Sequence, residues 1–138
     1  MTEPSLDLQK AIRERLIESS VVTSLVPAAH VLDRNSRPEV FPCILIGEGQ
    51  TLADDGLARN RHQTFADLHL WQREAGLVGV KQIAGAIRRA LSDTILQTDH
   101  FYVADIYIAR SRFLRDPDGI HSHGIVSLTA RLVQRAVA

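Results

Sequence analysis

The sequence has almost no cysteine. Its one cysteine, Cys43, excludes an intramolecular disulfide framework. Cys43 lies in the apolar run of residues 41–46, so we expect it to be a small buried hydrophobic side chain. A chain of 138 residues is long enough to bury a core without disulfides or metal, and residues 1–138 are predicted to form one domain.

An excess of charge of either sign is also missing. The formal net charge is zero at pH 7, which argues against a nucleic-acid-binding protein that works through a global basic field. The basic residues are 14 arginines and 2 lysines. Arginine is favoured in bidentate and interface ion pairs, although a bias in genome composition explains the same ratio.

Long apolar runs are absent as well. No run approaches the roughly 18–20 residues that a membrane-spanning helix needs. The chain begins with Thr2-Glu3-Pro4-Ser5 after Met1 and continues as an amphipathic segment, which is unlike a signal peptide. We therefore expect synthesis and folding in the cytoplasm, with no membrane partner.

Recognisable catalytic motifs are missing too. Gly47 and Gly49 lack the third glycine and the following helix of a dinucleotide fingerprint. Asp54 and Asp55 lie in a glycine-rich loop, where acidic residues are typical of turns. No nucleophile elbow and no Ser–His–Asp order is found. The sequence thus predicts no enzyme, no catalytic residue and no cofactor.

One pattern offers an alternative chemistry. His121 and His123 place two imidazoles on the same face of a predicted strand, and such a pair can chelate a metal ion. A third ligand would have to come from His62, His69 or Asp118. We favour the other interpretation, a hydrophilic strand beside a turn, and assign no metal.

Along the chain, some segments have apolar residues at helical spacing and others alternate as strands do. A helix capped by Ser5 has apolar residues at helical spacing, and a second helix contains Gly79 and Gly85, which we expect to pack closely on a sheet. The loop at residues 47–60 is long enough to be functional or disordered. The predicted elements are a helix from Ser5 to about Glu18, a short helical turn within 21–26, an edge strand at 30–32, strands at 43–46 and 61–71, a helix at 77–91 and a hairpin at 101–135. This order predicts an α+β fold, a mainly antiparallel sheet with two helices packed on one face and a long C-terminal β-hairpin.

The hairpin turns at Asp116-Pro117-Asp118-Gly119, a sequence typical of a three-residue loop with a bulge. Asp116 would then face Ile120. Strands of roughly 14 residues exceed the usual 5–6, so we expect the distal half of the hairpin to project from the body. The predicted pairs are Ala104 with Leu132, Ile106 with Ala130, Ile108 with Leu128 and Arg110 with Val126 on one face, and Val103 with Val133, Asp105 with Arg131 and Tyr107 with Thr129 on the other.

Several segments follow one another along the chain in a distinctive order and spacing. They are the N-terminal amphipathic helix leading into residues 21–26, the Phe-Pro strand 41–46, the strand 66–71 that ends on Trp71, the helix 82–91 and the terminal strand 124–131. In order and spacing they resemble the tail completion (tail terminator) proteins of long-tailed phages and gene transfer agents.

This resemblance implies a structural virion protein, located in the tail and made in the bacterial cytoplasm. It implies a ring, typically hexameric, that caps the tail tube and joins it to the head connector. The implied partners are further copies of the chain, the tail tube protein and the head–tail connector or neck protein, with DNA passing through the lumen without sequence-specific binding. The alternatives are a head-side neck or connector component, a small metal-binding module or enzyme that uses His121 and His123, and a general interaction domain.

The loop at 47–60, the predicted face of Phe65 and Trp71 and the arginine-rich part of the hairpin are candidate assembly surfaces, because they are long or polar relative to the core. The predicted contacts to a neighbouring subunit, the tube or the connector are Asp54, Asp55, Arg59, Arg61, Phe65, Trp71, Arg110, Arg112, Phe113 and Arg115.

Overall fold

The computed structural model describes residues 2–33 and 38–136. Its helices and strands form an α+β fold, as predicted. Within these residues no helix combines the length and apolar character needed to cross a membrane. The elements are α1 (Pro4–Glu18), α2 (Ser20–Thr23), a 3-10 turn (Ala28–His30), β1 (Val31–Leu32), β2 (Cys43–Ala53), β3 (Arg61–Gln72), α3 (Val78–Ser92), β4 (Phe101–Arg115) and β5 (Ser122–Gln134).

The strands form a five-stranded sheet in the order β1-β2-β3-β5-β4. β1 runs parallel to β2, and every other neighbouring pair is antiparallel. β5 lies between β3 and β4, so it is paired on both sides from Ser122 to Val133. The sheet is therefore mainly antiparallel, and its C-terminal hairpin is an integral part of it.

The hydrophobic core lies between α1, α3 and one face of the sheet. On α3, Val80, Ile83 and Ile87 recur at spacings of three and four and are buried on one side of the helix. Each large aliphatic side chain removed from water contributes roughly 1.5–3 kcal/mol. The sheet side of this core consists of Ile44, Ile46, Leu68, Leu70, Val126, Leu128, Ala130 and Leu132. We call the opposite side of the sheet the open face.

The prediction of a loop at residues 47–60 was wrong for its first half. β2 continues to Ala53, with an irregularity between Ile46 and Gly49. This bulge and the polar residues after it hide the period of two that marks a strand. Only residues 54–60 form the connection to β3.

The hairpin register was right in its middle and wrong at both ends. Ile106 faces Ala130 and Ile108 faces Leu128, as predicted, but bulges at Ala104 and Ala109 shift the pairs on either side. Arg110 therefore faces Ser127, not Val126, and Val103 faces Leu132.

The turn of the hairpin also differs from the prediction. The amide of Asp116 donates to the carbonyl of His121 at 3.0 Å. Asp116 therefore faces His121 rather than Ile120, and the loop has four residues. The distal half of the hairpin does not project, because Ser122 still pairs with Gln72 of β3.

The N-cap of α1 and the surroundings of the two glycines of α3 differ in part from the prediction. The N-cap of α1 is Glu3, whose side chain accepts from the amide of Ser5, so Ser5 is not the cap. Gly79 packs closely against the end of β3, since a Cβ there would lie 3.0 Å from Cγ of Gln72 and 2.7 Å from Glu74 Oε2. Gly85 is exposed, and nothing lies within 4 Å of a Cβ at its position. The predicted close packing was therefore right for Gly79 and wrong for Gly85.

Candidate functional site

The open face presents polar, aromatic and arginine side chains that alternate with the core residues of the same strands. On β4, every open-face residue is exposed, because no helix of the described chain covers this side of the sheet. The open-face residues are Gln63, Phe65, Asp67, His69 and Trp71 of β3, His123, Ile125, Ser127, Thr129 and Arg131 of β5, and Tyr102, Asp105, Tyr107, Arg110, Arg112 and Leu114 of β4.

A cleft of about 780 Å³ lies at one end of the open face. Its walls come from the segment before β2, from the start of β2, from the end of β3 and from the β4–β5 turn. The described residues that line it are Asp33, Pro38, Phe41, Leu45, Ile46, Gly47, Glu48, His69, Trp71, Asp116, Asp118, His121 and His123. Four of these residues are carboxylates and none is lysine or arginine.

The floor of the cleft is a connected row of rings. Trp71 stacks on His123, with centroids 4.0 Å apart and planes at 8°. His123 Nε2 lies 2.9 Å from His69 Nδ1, and His69 Nε2 lies 3.2 Å from Glu48 Oε2. A Cβ at Gly47 would lie 2.5 Å from His69 Cδ2, so only glycine leaves room for this ring over β2.

The charges of this row follow from its contacts. Burial and the neighbouring His69 lower the pKa of His123 to about 4, so its imidazole is neutral at pH 7. The hydrogen bond with His69 lowers the pKa of Glu48, which keeps that carboxylate charged. The row therefore presents one negative group beside aromatic faces.

The β4–β5 turn forms the opposite wall. Asp118 Oδ1 accepts from the amide of Ile120 at 2.8 Å, and Asp118 Oδ2 lies 2.5 Å from His121 Nδ1. The hydrogen bonds from the His121 side chain and the Ile120 amide lower the pKa of Asp118 to about 2. The ring of His121 in turn stacks on Phe41, with centroids 4.5 Å apart. This wall therefore carries a permanently charged carboxylate beside an aromatic pair.

The two histidines that the sequence linked as a metal pair both line the cleft, but they do not belong to one group of candidate ligands. Among the described residues, the group whose ligand atoms lie within 4.8 Å of one another is Asp116, Asp118 and His121, without His123. The carboxylates of Asp116 and Asp118 accept hydrogen bonds from backbone amides within the turn. Turn geometry therefore accounts for this group, and it carries no metal assignment.

The turn at residues 54–60 lies at the other end of the sheet, beyond the last β2–β3 pair, Ala53 with His62. Asp54 closes the turn, because its amide donates to the carbonyl of Arg61 and its carboxylate accepts from the amide of Asp55. Leu57 is 100% exposed. Arg59 has a φ of 55°, in the left-handed region that residues other than glycine rarely adopt.

The predicted contact residues are spread over different surfaces. Asp54, Asp55 and Arg59 lie in or beside the 54–60 turn, with Arg61 at the start of β3. Phe65, Arg110 and Arg112 lie on the open face, and Trp71 lines the cleft. Arg115 faces Ser122 on the helix side, and Phe113 packs against the core under Lys81. The structure thus does not bring these residues together into one site.

Sequence reasoning missed the cleft. Phe41, His69 and Asp116 are far apart in the chain, and no spacing between them signals a shared cleft. The available signal was the alternation of β3, which placed His69 and Trp71 on one face.

The family model of "Tail completion protein gp17" matches residues 10–132. A chain of the virion of a native gene transfer agent particle is 18% identical, with a TM-score of 0.82 over 96% of this chain and 99% of that one. The gp17 protein of bacteriophage SPP1 is 20% identical, with a TM-score of 0.58 over 97% of this chain and 93% of that one. No curated protein matches the chain.

Proposed function

Because the chain belongs to the tail completion protein gp17 family, we propose that it forms a ring that caps the tail tube and joins it to the head connector. Family membership makes it a structural protein of the virion tail and not an enzyme. The match to residues 10–132 carries the proposal, since it spans α3, more than half of α1 and nearly all of the sheet.

The arrangement of surfaces supports assembly with like subunits. A ring needs a heterologous interface, in which one patch of the chain meets a different patch of the next copy. This chain has two unlike ends, the cleft and the 54–60 turn, and between them an open face with exposed Tyr107, Arg110 and Arg112. These features give the chain distinct donor and acceptor surfaces.

The unpaired edge of β4 is less suited to joining subunits by strand addition. Its bulges at Ala104 and Ala109 interrupt the regular ladder along an otherwise long edge strand, and bulges protect edges against pairing with another chain. Contacts through side chains are therefore the better basis for a ring than a continuous intersubunit sheet.

The ring is proposed to be hexameric and to contact the tail tube on one side and the connector or neck protein on the other. DNA would pass through its lumen without sequence-specific binding. The zero net charge agrees with a lumen that does not hold DNA by a strong basic field. The candidate contacts on these surfaces remain those named from the sequence, and among them Phe113 is partly buried against the core.

The test is removal of the gene from the particle-producing strain and complementation with the wild-type chain. Without the protein, tails should be abnormally long or unattached to heads in negative-stain images, because nothing ends tube growth or presents the connector surface. Complementation should restore joined tails of uniform length. Joined tails of normal length in the null strain would refute the proposal.

A further inference from the structure

We propose that the cleft binds the Leu57–Arg59 turn of a second copy of this chain and is thereby the acceptor half of the subunit interface. The inference rests on the proposed ring and names the contact that closes it. The cleft combines the faces of aromatic rings with carboxylate groups. Such a surface recognises a guanidinium through ion pairs and cation–π contacts, with room for an apolar side chain.

The charge of the cleft selects a cationic occupant. Glu48, Asp116 and Asp118 line it, and His123 is neutral at pH 7. No described lysine or arginine is among the residues that line the cleft, and Arg73 approaches it only over the ring of Phe41, 5.4 Å from the ring centroid. The field of the carboxylates favours a positive group over a neutral or an acidic one.

The 54–60 turn offers the complementary features. Leu57 is 100% exposed, and within the described chain Arg59 is an exposed arginine that makes no ion pair. The left-handed φ of 55° at Arg59 costs of order 1 kcal/mol in a residue other than glycine. An arginine at such a position fits a role in binding better than a role in folding.

The occupant must come from a second copy. The cleft lies where Cys43 pairs with Trp71, and the turn follows the pair of Ala53 with His62. The ten residues of β2 between these pairs span about 33 Å. A turn at one end and a cleft at the other define a head-to-tail contact, which closes into a ring or continues as a filament.

A disulfide tests the contact in assembled particles. The variant Leu57→Cys/Glu48→Cys should yield a ladder of covalent multimers after mild oxidation, visible on a non-reducing gel. The two positions are separated within one chain by at least the five residues from Glu48 to Ala53, about 17 Å, so an intramolecular bond is excluded. Cys43 does not interfere, because it is fully buried and burial raises the pKa of its thiol to about 11.

The controls separate this contact from chance collisions. Leu57→Cys/Arg88→Cys moves the second thiol to the exposed side of α3 and should give no ladder. Monomers alone from Leu57→Cys/Glu48→Cys, in particles with capped and joined tails, would overturn the inference and leave the proposed function standing. Absence of the protein from the tail end of wild-type particles would overturn both.

The proposed ion pair between Arg59 and the carboxylates of the cleft can be tested separately. Arg59→Glu should reduce incorporation into particles about tenfold, and the double variant Arg59→Glu/Glu48→Lys should restore most of it. The matched control Arg88→Glu makes the same charge change on the outer side of α3 and should leave incorporation unchanged. Equal loss from Arg59→Glu and Arg88→Glu would overturn the proposed ion pair.

Discussion

His123 is the residue through which acid acts on the cleft. Its ring lies between Trp71 and His69, so protonation would place a positive charge in a half-buried site against the His69 ring. Burial and His69 accordingly lower its pKa from 6.5 to about 4, while Asp116 and Glu48 act in the opposite direction. The unfolded chain therefore binds a proton at His123 between pH 6.5 and 4, and the folded chain does not.

This difference predicts a loss of stability in acid. The pKa of His123 is lower in the folded chain than in the unfolded chain. The contribution of its neutral ring to the free energy of unfolding is therefore fully present above pH 6.5 and is lost as the pH falls toward 4. With a discount for solvent screening at this half-buried ring, the loss is about 1–2 kcal/mol. Urea unfolding of the wild type and of His123→Gln at several pH values measures it. The variant should show a shallower decline, and parallel curves would contradict the prediction.

At the scale of elements, the sequence identified those whose pattern is one-sided. β3 alternates cleanly because one face meets the helices and the other does not, and its buried Leu68 and Leu70 lie opposite the predicted face of Phe65 and Trp71. α3 was found for the same reason. The bulges of β4 were not, because Ala104 and Ala109 are small residues that carry no turn or strand signal of their own. Register depends on such local insertions, which tertiary packing decides.

The start of α3 shows how a contact distant in sequence changes the meaning of a glycine. Leu77 provides no side-chain cap, and Glu74 instead accepts from the amides of Gly79 and Val80 at 2.8 and 3.0 Å. Gly79 leaves room for that carboxylate. Gly85, in the exposed middle of the helix, has no such neighbour.

The two glycines should therefore respond differently to alanine. Gly85→Ala should raise the free energy of unfolding by about 1 kcal/mol, since alanine has the higher helix propensity and the space is open. Gly79→Ala should lower it or leave it unchanged, because the new Cβ displaces the Glu74 cap. Thermal or urea unfolding distinguishes them. Equal stabilisation by both substitutions would show that the cap does not depend on the glycine.

At the scale of the whole molecule, the fold joins two unlike ends through one stiff sheet. The cleft gathers segments around residues 41, 48, 69 and 118, and the opposite end carries the exposed 54–60 turn. Composition and periodicity predicted the layers but not the cleft, because its walls meet only after β1, β2, β3 and the β4–β5 turn are assembled. The order of segments across the chain predicted the family, which the match to residues 10–132 confirms.

The most direct test of the account is to locate the protein in the particle. A small tag joined to the N-terminus, near the exposed Glu3, labelled with gold and imaged by electron microscopy, should appear at the head-proximal end of the tail tube. Averaged images of that end should show a ring of six labelled copies. Label on the head shell, along the tube or at the distal tip would contradict a ring that caps the tube.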